Sequence, residues 1–173
     1  MNNFEYTPVD ERVFLVRHGE YLGNELTEIG IQQAQSARDD LLGSEIGSSS
    51  LLLSSPSARA LKTAQIIGEG IGTTVISIDL LSDKSDEWVE HLSELEIFTK
   101  NLITNVRKSM GKVEPSPVII VGHEPFIASL ARKSSINNGE VIEQVLRSRQ
   151  IPVKAELNTP KHRIINKLLD RNK

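Results

Sequence analysis

Three short stretches of the chain place cations and imidazoles directly after apolar runs. Val13-Phe14-Leu15-Val16 ends in Arg17-His18, Ser54-Ser55-Pro56 precedes Arg59, and Val118-Ile119-Ile120-Val121 leads into Gly122-His123. Two guanidiniums offer forked donors that match the oxygens of a phosphate or a carboxylate. A phosphoryl group carries close to two negative charges near neutral pH, and two arginines would offset them. A neutral imidazole can attack phosphorus and form a covalent intermediate, splitting one hard step into two easier ones. A second histidine, protonated, would stabilise charge on the equatorial oxygens during transfer. The set Arg17, His18, Arg59 and His123 needs no metal or cofactor for this chemistry, and none is expected.

Those residues must be brought together by the elements around them. Arg12 to Val16 reads as a short buried strand, and Leu26 to Leu42 as a helix capped by Thr27, with Ile29, Ala34, Ala37 and Leu41 on one face. Gly43 to Ser50 is a Gly- and Ser-rich loop, followed by a second apolar strand at Leu51 to Leu53. Ser57 to Ile71 is a second helix, Thr74 to Leu81 a third strand, and Asp86 to Met110 a long amphipathic helix striped by Trp88, Leu92, Leu95, Leu102, Val106 and Met110. Pro117 to Val121 is a fourth strand, with helix from Phe126 to Arg132. Farther on, Glu140 to Arg149 reads as helix, Ile151 to Leu157 as an edge strand, and Thr159-Pro160 opens a helix to about Asp170.

Strands alternating with helices imply a mostly parallel sheet covered on both faces. Such sheets bind ligands beyond the carboxyl ends of their strands. Arg17-His18, Ser55 to Arg59 and His123 each follow a strand, so all three groups are expected at one edge. Helix N-termini after Pro56 and Pro125 would add backbone donors there.

The 173 residues suit a single domain, and a net charge of -3 without a basic run argues against a nucleic-acid partner. No apolar stretch reaches bilayer length, and the first dozen residues are polar and acidic, unlike a signal peptide. The absence of cysteine excludes a disulfide framework, a thiolate metal site and a thiol nucleophile. A cytoplasmic protein with no membrane partner is the expectation.

Arg17-His18-Gly19-Glu20, with Asn24 after three further residues, resembles the RHGExxxN signature of the histidine phosphatase superfamily, which includes the cofactor-dependent phosphoglycerate mutases. Leu26-Thr27, Gly30 and Gln33-Ala34 are similar to its LTxxGxxQA helix. Ser54-Ser55-Pro56, Arg59-Ala60 and Thr63-Ala64 are similar to its SSPxxRAxxTA segment, and Gly122-His123 to its second histidine motif. The likeness runs from about Val13 to Arg132, leaving residues 1–11 as an extension and 134–173 unassigned. It implies an α/β three-layer sandwich of the phosphoglycerate mutase type. It also implies that His18 is phosphorylated, that Arg17 and Arg59 bind phosphoryl oxygens, and that His123 completes the pocket. Asn24 matches a phosphate-contacting position, and Glu20 a supporting one that orients the pocket.

Only Glu25 and Leu26 separate Asn24 from Thr27, where the mutases carry a much longer substrate loop. The lean loops resemble the SixA-type phosphohistidine phosphatases, whose open sites suit a phosphorylated protein. A phosphohistidine leaving group needs little help from an acid. Members acting on phosphomonoesters often carry an acid after the third strand, where Asp83, Asp86 and Glu87 lie without a clear motif match. Three readings therefore stand side by side: a protein phosphohistidine phosphatase, a small-molecule phosphomonoesterase using one of those acids, and a non-catalytic phosphate or phosphoprotein binder.

Overall fold

The computed structural model describes residues 10–82, 92–111 and 116–147. Its elements run β1 (Glu11–Arg17), β2 (Tyr21–Leu22), β3 (Glu25–Leu26), α1 (Glu28–Gly43), β4 (Leu51–Ser54), α2 (Ala58–Ile71), β5 (Val75–Ser77), α3 (Leu92–Ser109), β6 (Val118–Gly122), α4 (Glu124–Ala131) and β7 (Val141–Leu146). A five-stranded sheet is ordered β5-β4-β6-β1-β7. Its first four strands are parallel, and β7 closes the β1 edge antiparallel.

The parallel strands are apolar throughout because both of their faces are covered. Phe14, Val16, Leu52, Ile119 and Val121 form one core cluster with Ala37 and Leu41 of α1 and Ala60, Ala64, Ile67 and Ile71 of α2. Their alternates Val13, Leu15, Leu51, Leu53, Val118 and Ile120 are equally buried, so the opposite face is covered as well. There α4 lies against β1 and α3 against α4, with Leu95, Phe98, Leu102, Ile103, Ile127 and Leu130 buried. Arg107 of α3 donates to Glu11 of β1 at 2.6 Å, a buried pair that ties the helix to the strand. The result is an α/β fold with a mostly parallel central sheet flanked by helices, as expected. Among the described residues no helix is long and apolar enough to cross a membrane.

Several local readings change. Glu140 to Arg149 was expected as helix, yet Val141–Leu146 is a strand. Ile142, Val145 and Leu146 are spaced i, i+3, i+4, which imitates a helical face. The free edge of β1 decides otherwise, pairing Glu11 with Leu146 through Val16 with Val141. Gly139, at φ 73°, makes the left-handed turn into that strand. The third strand shrinks to Val75–Ser77, followed by a 3₁₀ turn at Asp79–Leu81. A two-stranded hairpin at Tyr21–Leu26 was not foreseen. On α1 the buried position is Gly30 rather than Ile29, which is exposed, and Met110 is exposed beyond the end of α3. The helix expected from Phe126 begins at Glu124, with His123 at its N-cap. Trp88 and the start of the long helix, together with the expected elements at Ile151 to Leu157 and Thr159 to Asp170, lie outside the described residues.

Candidate active site

The register of the sheet brings the three polar groups to one edge. Arg17 pairs with Gly122 at the ends of β1 and β6, and Ser54 with Val121 at the ends of β4 and β6. The chain stays registered one residue farther: the His18 amide donates to the Gly122 carbonyl at 3.1 Å, and the Ser55 amide to that of Val121 at 3.0 Å. Short strands therefore become a platform carrying His18, Ser55 and His123 side by side.

Both imidazoles are buried, each 4% exposed, and their ring centroids stand 5.2 Å apart in an edge-to-face arrangement. His18 Nδ1 lies 2.9 Å from the Gly19 carbonyl, an acceptor that requires the proton on Nδ1 and leaves the lone pair on Nε2. Arg59 Nε donates to that Nε2 at 3.2 Å. The same guanidinium reaches His123, with Nη2 3.4 Å from Nδ1, and arginine has only donors to offer. His123 then carries its proton on Nε2, 2.9 Å from Ser55 Oγ and 3.4 Å from Ser57 Oγ. One arginine thus addresses the unprotonated nitrogens of both histidines.

Arg17 is held differently. Its Nη1 donates to the Ile136 carbonyl and forms an ion pair with Glu124 Oε2 at 3.0 Å. Among the described residues its buried Nε has no hydrogen-bond partner. A buried donor left unmatched costs stability unless something else satisfies it. That geometry suits an anion.

The motif residues of α1 and α2 act on the loop that follows β1. Thr27 Oγ1 caps α1 by accepting from Gly30 N at 3.0 Å and donates to the Glu20 carboxylate at 2.9 Å. Gln33 Oε1 accepts from Glu20 N at 2.7 Å. From α2, Thr63 Oγ1 accepts from Gly19 N at 3.1 Å while donating to the Arg59 carbonyl at 2.8 Å. Thr27, Gly30, Gln33 and Thr63 therefore clamp Gly19-Glu20 and with it His18.

Of the residues expected from sequence, His18, Arg59 and His123 are in mutual contact, and Arg17 ends β1 beside Gly122 with its side chain on Ile136 and Glu124. Glu20 is committed to Thr27 and supports the loop. Asn24 lies in the exposed turn of the Tyr21–Leu26 hairpin, apart from the contacts that link the two histidines and Arg59. Asp83, Asp86 and Glu87 lie outside the described residues. Sequence reasoning placed Ser55 to Arg59 at this edge without giving Ser55 or Ser57 a role, and it missed Tyr21 and Glu124. Ser55 stood inside a recognised motif and Glu124 directly after one, and their position beside Ser54 and His123 was the available signal.

The family model of the histidine phosphatase superfamily, branch 1, matches residues 13–100. No curated protein matches the chain by sequence. Among solved structures, a mycobacterial glucosyl-3-phosphoglycerate phosphatase is similar at 20% identity and a TM-score of 0.54, over 77% of this chain and 89% of that one. A protein from Agrobacterium tumefaciens assigned as the phosphohistidine phosphatase SixA is similar at 21% identity and a TM-score of 0.56, over 79% of this chain and 90% of that one. A mycobacterial hydrolase is similar at 17% identity and a TM-score of 0.52, over 92% and 97%. At these identities the likeness is one of fold.

Proposed function

The chain belongs to the histidine phosphatase superfamily, and from that membership we propose that it is a protein phosphohistidine phosphatase working through a phosphoryl group held on His18. The observation that carries the reading is the Nε2 of His18, unprotonated, buried, and flanked by Arg59 and His123. Its lone pair attacks phosphorus as the bond to the leaving group breaks, and the leaving nitrogen takes up a proton. Water then attacks phosphorus, the bond to His18 Nε2 breaks, and inorganic phosphate leaves. Arg59 gives up its hydrogen bond to Nε2 in the first step, since that lone pair is needed, and turns its donors to the phosphoryl oxygens. Arg17 contributes its buried Nε, and His123, whose Nδ1 is released when Arg59 turns, takes up a proton there and adds its charge.

Two features favour a phosphohistidine over a phosphomonoester. Only Glu25 and Leu26, the second strand of the Tyr21–Leu26 hairpin, lie between Asn24 and Thr27, where a long substrate loop would stand. Among the described residues, the two carboxylates closest in sequence to the histidines are already engaged, Glu20 by Thr27 and Glu124 by Arg17. An imidazole leaving group tolerates the lack of a strong acid, whereas an alkoxide does not.

Intact-protein mass spectrometry after brief incubation with phosphoramidate tests the proposal. An acid-labile phosphoryl adduct on the natural chain and none on His18→Ala is expected. Turnover of phosphohistidine peptides should then exceed that of sugar phosphates. Faster sugar phosphate turnover, lost in one amide variant of Asp83, Asp86 or Glu87, would replace the protein substrate with a small phosphomonoester. No adduct and no turnover with any donor would leave a binding module.

A further inference from the structure

Tyr21 stands where nothing in the superfamily motifs requires an aromatic ring, and it touches both partners of the central hydrogen bond. The Arg59 guanidinium carbon lies 4.4 Å over the centroid of the Tyr21 ring. The same ring meets His18 edge to face, with centroids 5.2 Å apart. Tyr21 is 42% exposed, so its ring walls the outer side of the cluster rather than filling a core. Its backbone is set by pairing with Leu26 in the hairpin, and Leu26 leads directly into the Thr27 cap of α1.

We propose that Tyr21 is a positioning residue that seats the Arg59 guanidinium, through a cation–π contact, so that its Nε addresses His18 Nε2. Arginine has several rotatable bonds, and holding it in one geometry costs side-chain entropy. A π face beneath the planar guanidinium lowers that cost while leaving the edge donors free. With Arg59 seated, His18 meets a cation at the nitrogen that must stay unprotonated for attack. Charge there disfavours the imidazolium. Among the described residues, those that face His18 include Arg59 from α2, His123 after β6 and Tyr21 from β2. Its chain neighbour Arg17 is paired with Glu124 of α4, and Glu20 is bonded to Thr27.

The kinetic meaning of this arrangement rests on His18 being the nucleophile, but the test does not. The His18 titration is followed by nitrogen-detected NMR in the full chain for the natural protein, Tyr21→Phe, Tyr21→Leu and Tyr21→Ala. The Phe variant keeps the ring, Leu keeps bulk without a π face, and Ala keeps neither. Phe is expected to titrate as the natural chain does, while Leu and Ala move the His18 midpoint upward by about 0.5 pH or more. In turnover, the acid limb of kcat/KM would shift the same way, with kcat reduced more than KM is raised. An unmoved midpoint in Leu, with the spectrum showing the fold intact, would overturn the proposal even if phosphatase activity were confirmed. A shifted midpoint in a protein without turnover would uphold the seating of Arg59 and sink only the catalytic reading.

Discussion

Gly19 and Gly30 meet backbone to backbone: a methyl group built on Gly19 would lie 2.3 Å from the Gly30 carbonyl oxygen, and one on Gly30 would lie 2.0 Å from that of Glu20. This approach lets α1 press on the loop that carries His18. Neither glycine has a positive φ, so the requirement is space and not backbone freedom. Alanine at either position forces backbone apart, and overpacking of this kind costs about 1–3 kcal/mol. Gly19→Ala and Gly30→Ala are each expected to lower the melting temperature and to reduce kcat by displacing His18. Calorimetry together with turnover checks this, and a stable, fully active Gly30→Ala would show that the loop has slack.

Glu124 orients Arg17 through the 3.0 Å ion pair. Both side chains are partly exposed, so the pair adds little to global stability. Its effect is on geometry, and misplacing a phosphoryl-binding donor slows the chemistry. Glu124→Ala is expected to lower kcat about tenfold with a small change in melting temperature. Glu124→Gln retains most of the rate, because its amide oxygen still accepts from Nη1. Equal losses in both variants would assign the effect to charge.

Ser55 and Ser57 share the outward nitrogen of His123, at 2.9 and 3.4 Å. Removing Ser55 leaves a buried N–H dependent on the longer contact, and an unmatched buried donor costs roughly 1–3 kcal/mol. Ser57 partly substitutes. The double variant Ser55→Ala/Ser57→Ala is therefore expected to lose more rate than the two single losses combined. A double-mutant cycle on kcat measures that excess, and strict additivity would separate Ser57 from the role.

Glu140 braces the loop that brings the Ile136 carbonyl to Arg17. Lys133 Nζ donates to it at 2.7 Å, and Asn137 N at 2.8 Å. The Lys133 hydrogen bond, followed by that of the Asn137 amide, holds the Glu140 carboxyl below its ordinary range. A carboxyl depressed in the folded state stabilises above its unfolded value, and that stability fades as pH falls through the folded one. The gap in melting temperature between the natural chain and Glu140→Gln should be full above the ordinary glutamate value of about 4.3 and shrink progressively as pH falls below it, through the depressed folded one. A gap that persists in acid would mean the brace does not depend on charge.

The site was largely legible in the chain because its chemistry needs residue types with few substitutes. Paired guanidiniums and imidazoles directly after apolar strands serve that chemistry, and Arg17, His18, Arg59 and His123 stood in that position. The parallel sheet was legible for a similar reason, since strands buried on both faces read as unbroken apolar runs from Val13 to Val16 and from Val118 to Val121. Val141–Leu146 was misread because six residues carry too little periodicity to distinguish a strand from a helical face. The vacant edge of β1, a partner more than a hundred residues away in sequence, settled it.

Local composition, then, determined which groups would meet and at which edge of the sheet. Which nitrogen of each imidazole carries the proton was decided only by tertiary structure, because it depends on the Gly19 carbonyl, Ser55 Oγ and Arg59 arriving from separate elements. The same holds for Tyr21 beneath Arg59 and Glu124 against Arg17. Hydrogen bonds and ring contacts form across ångströms of space. Sequence spacing states who is available, and packing alone states who is near.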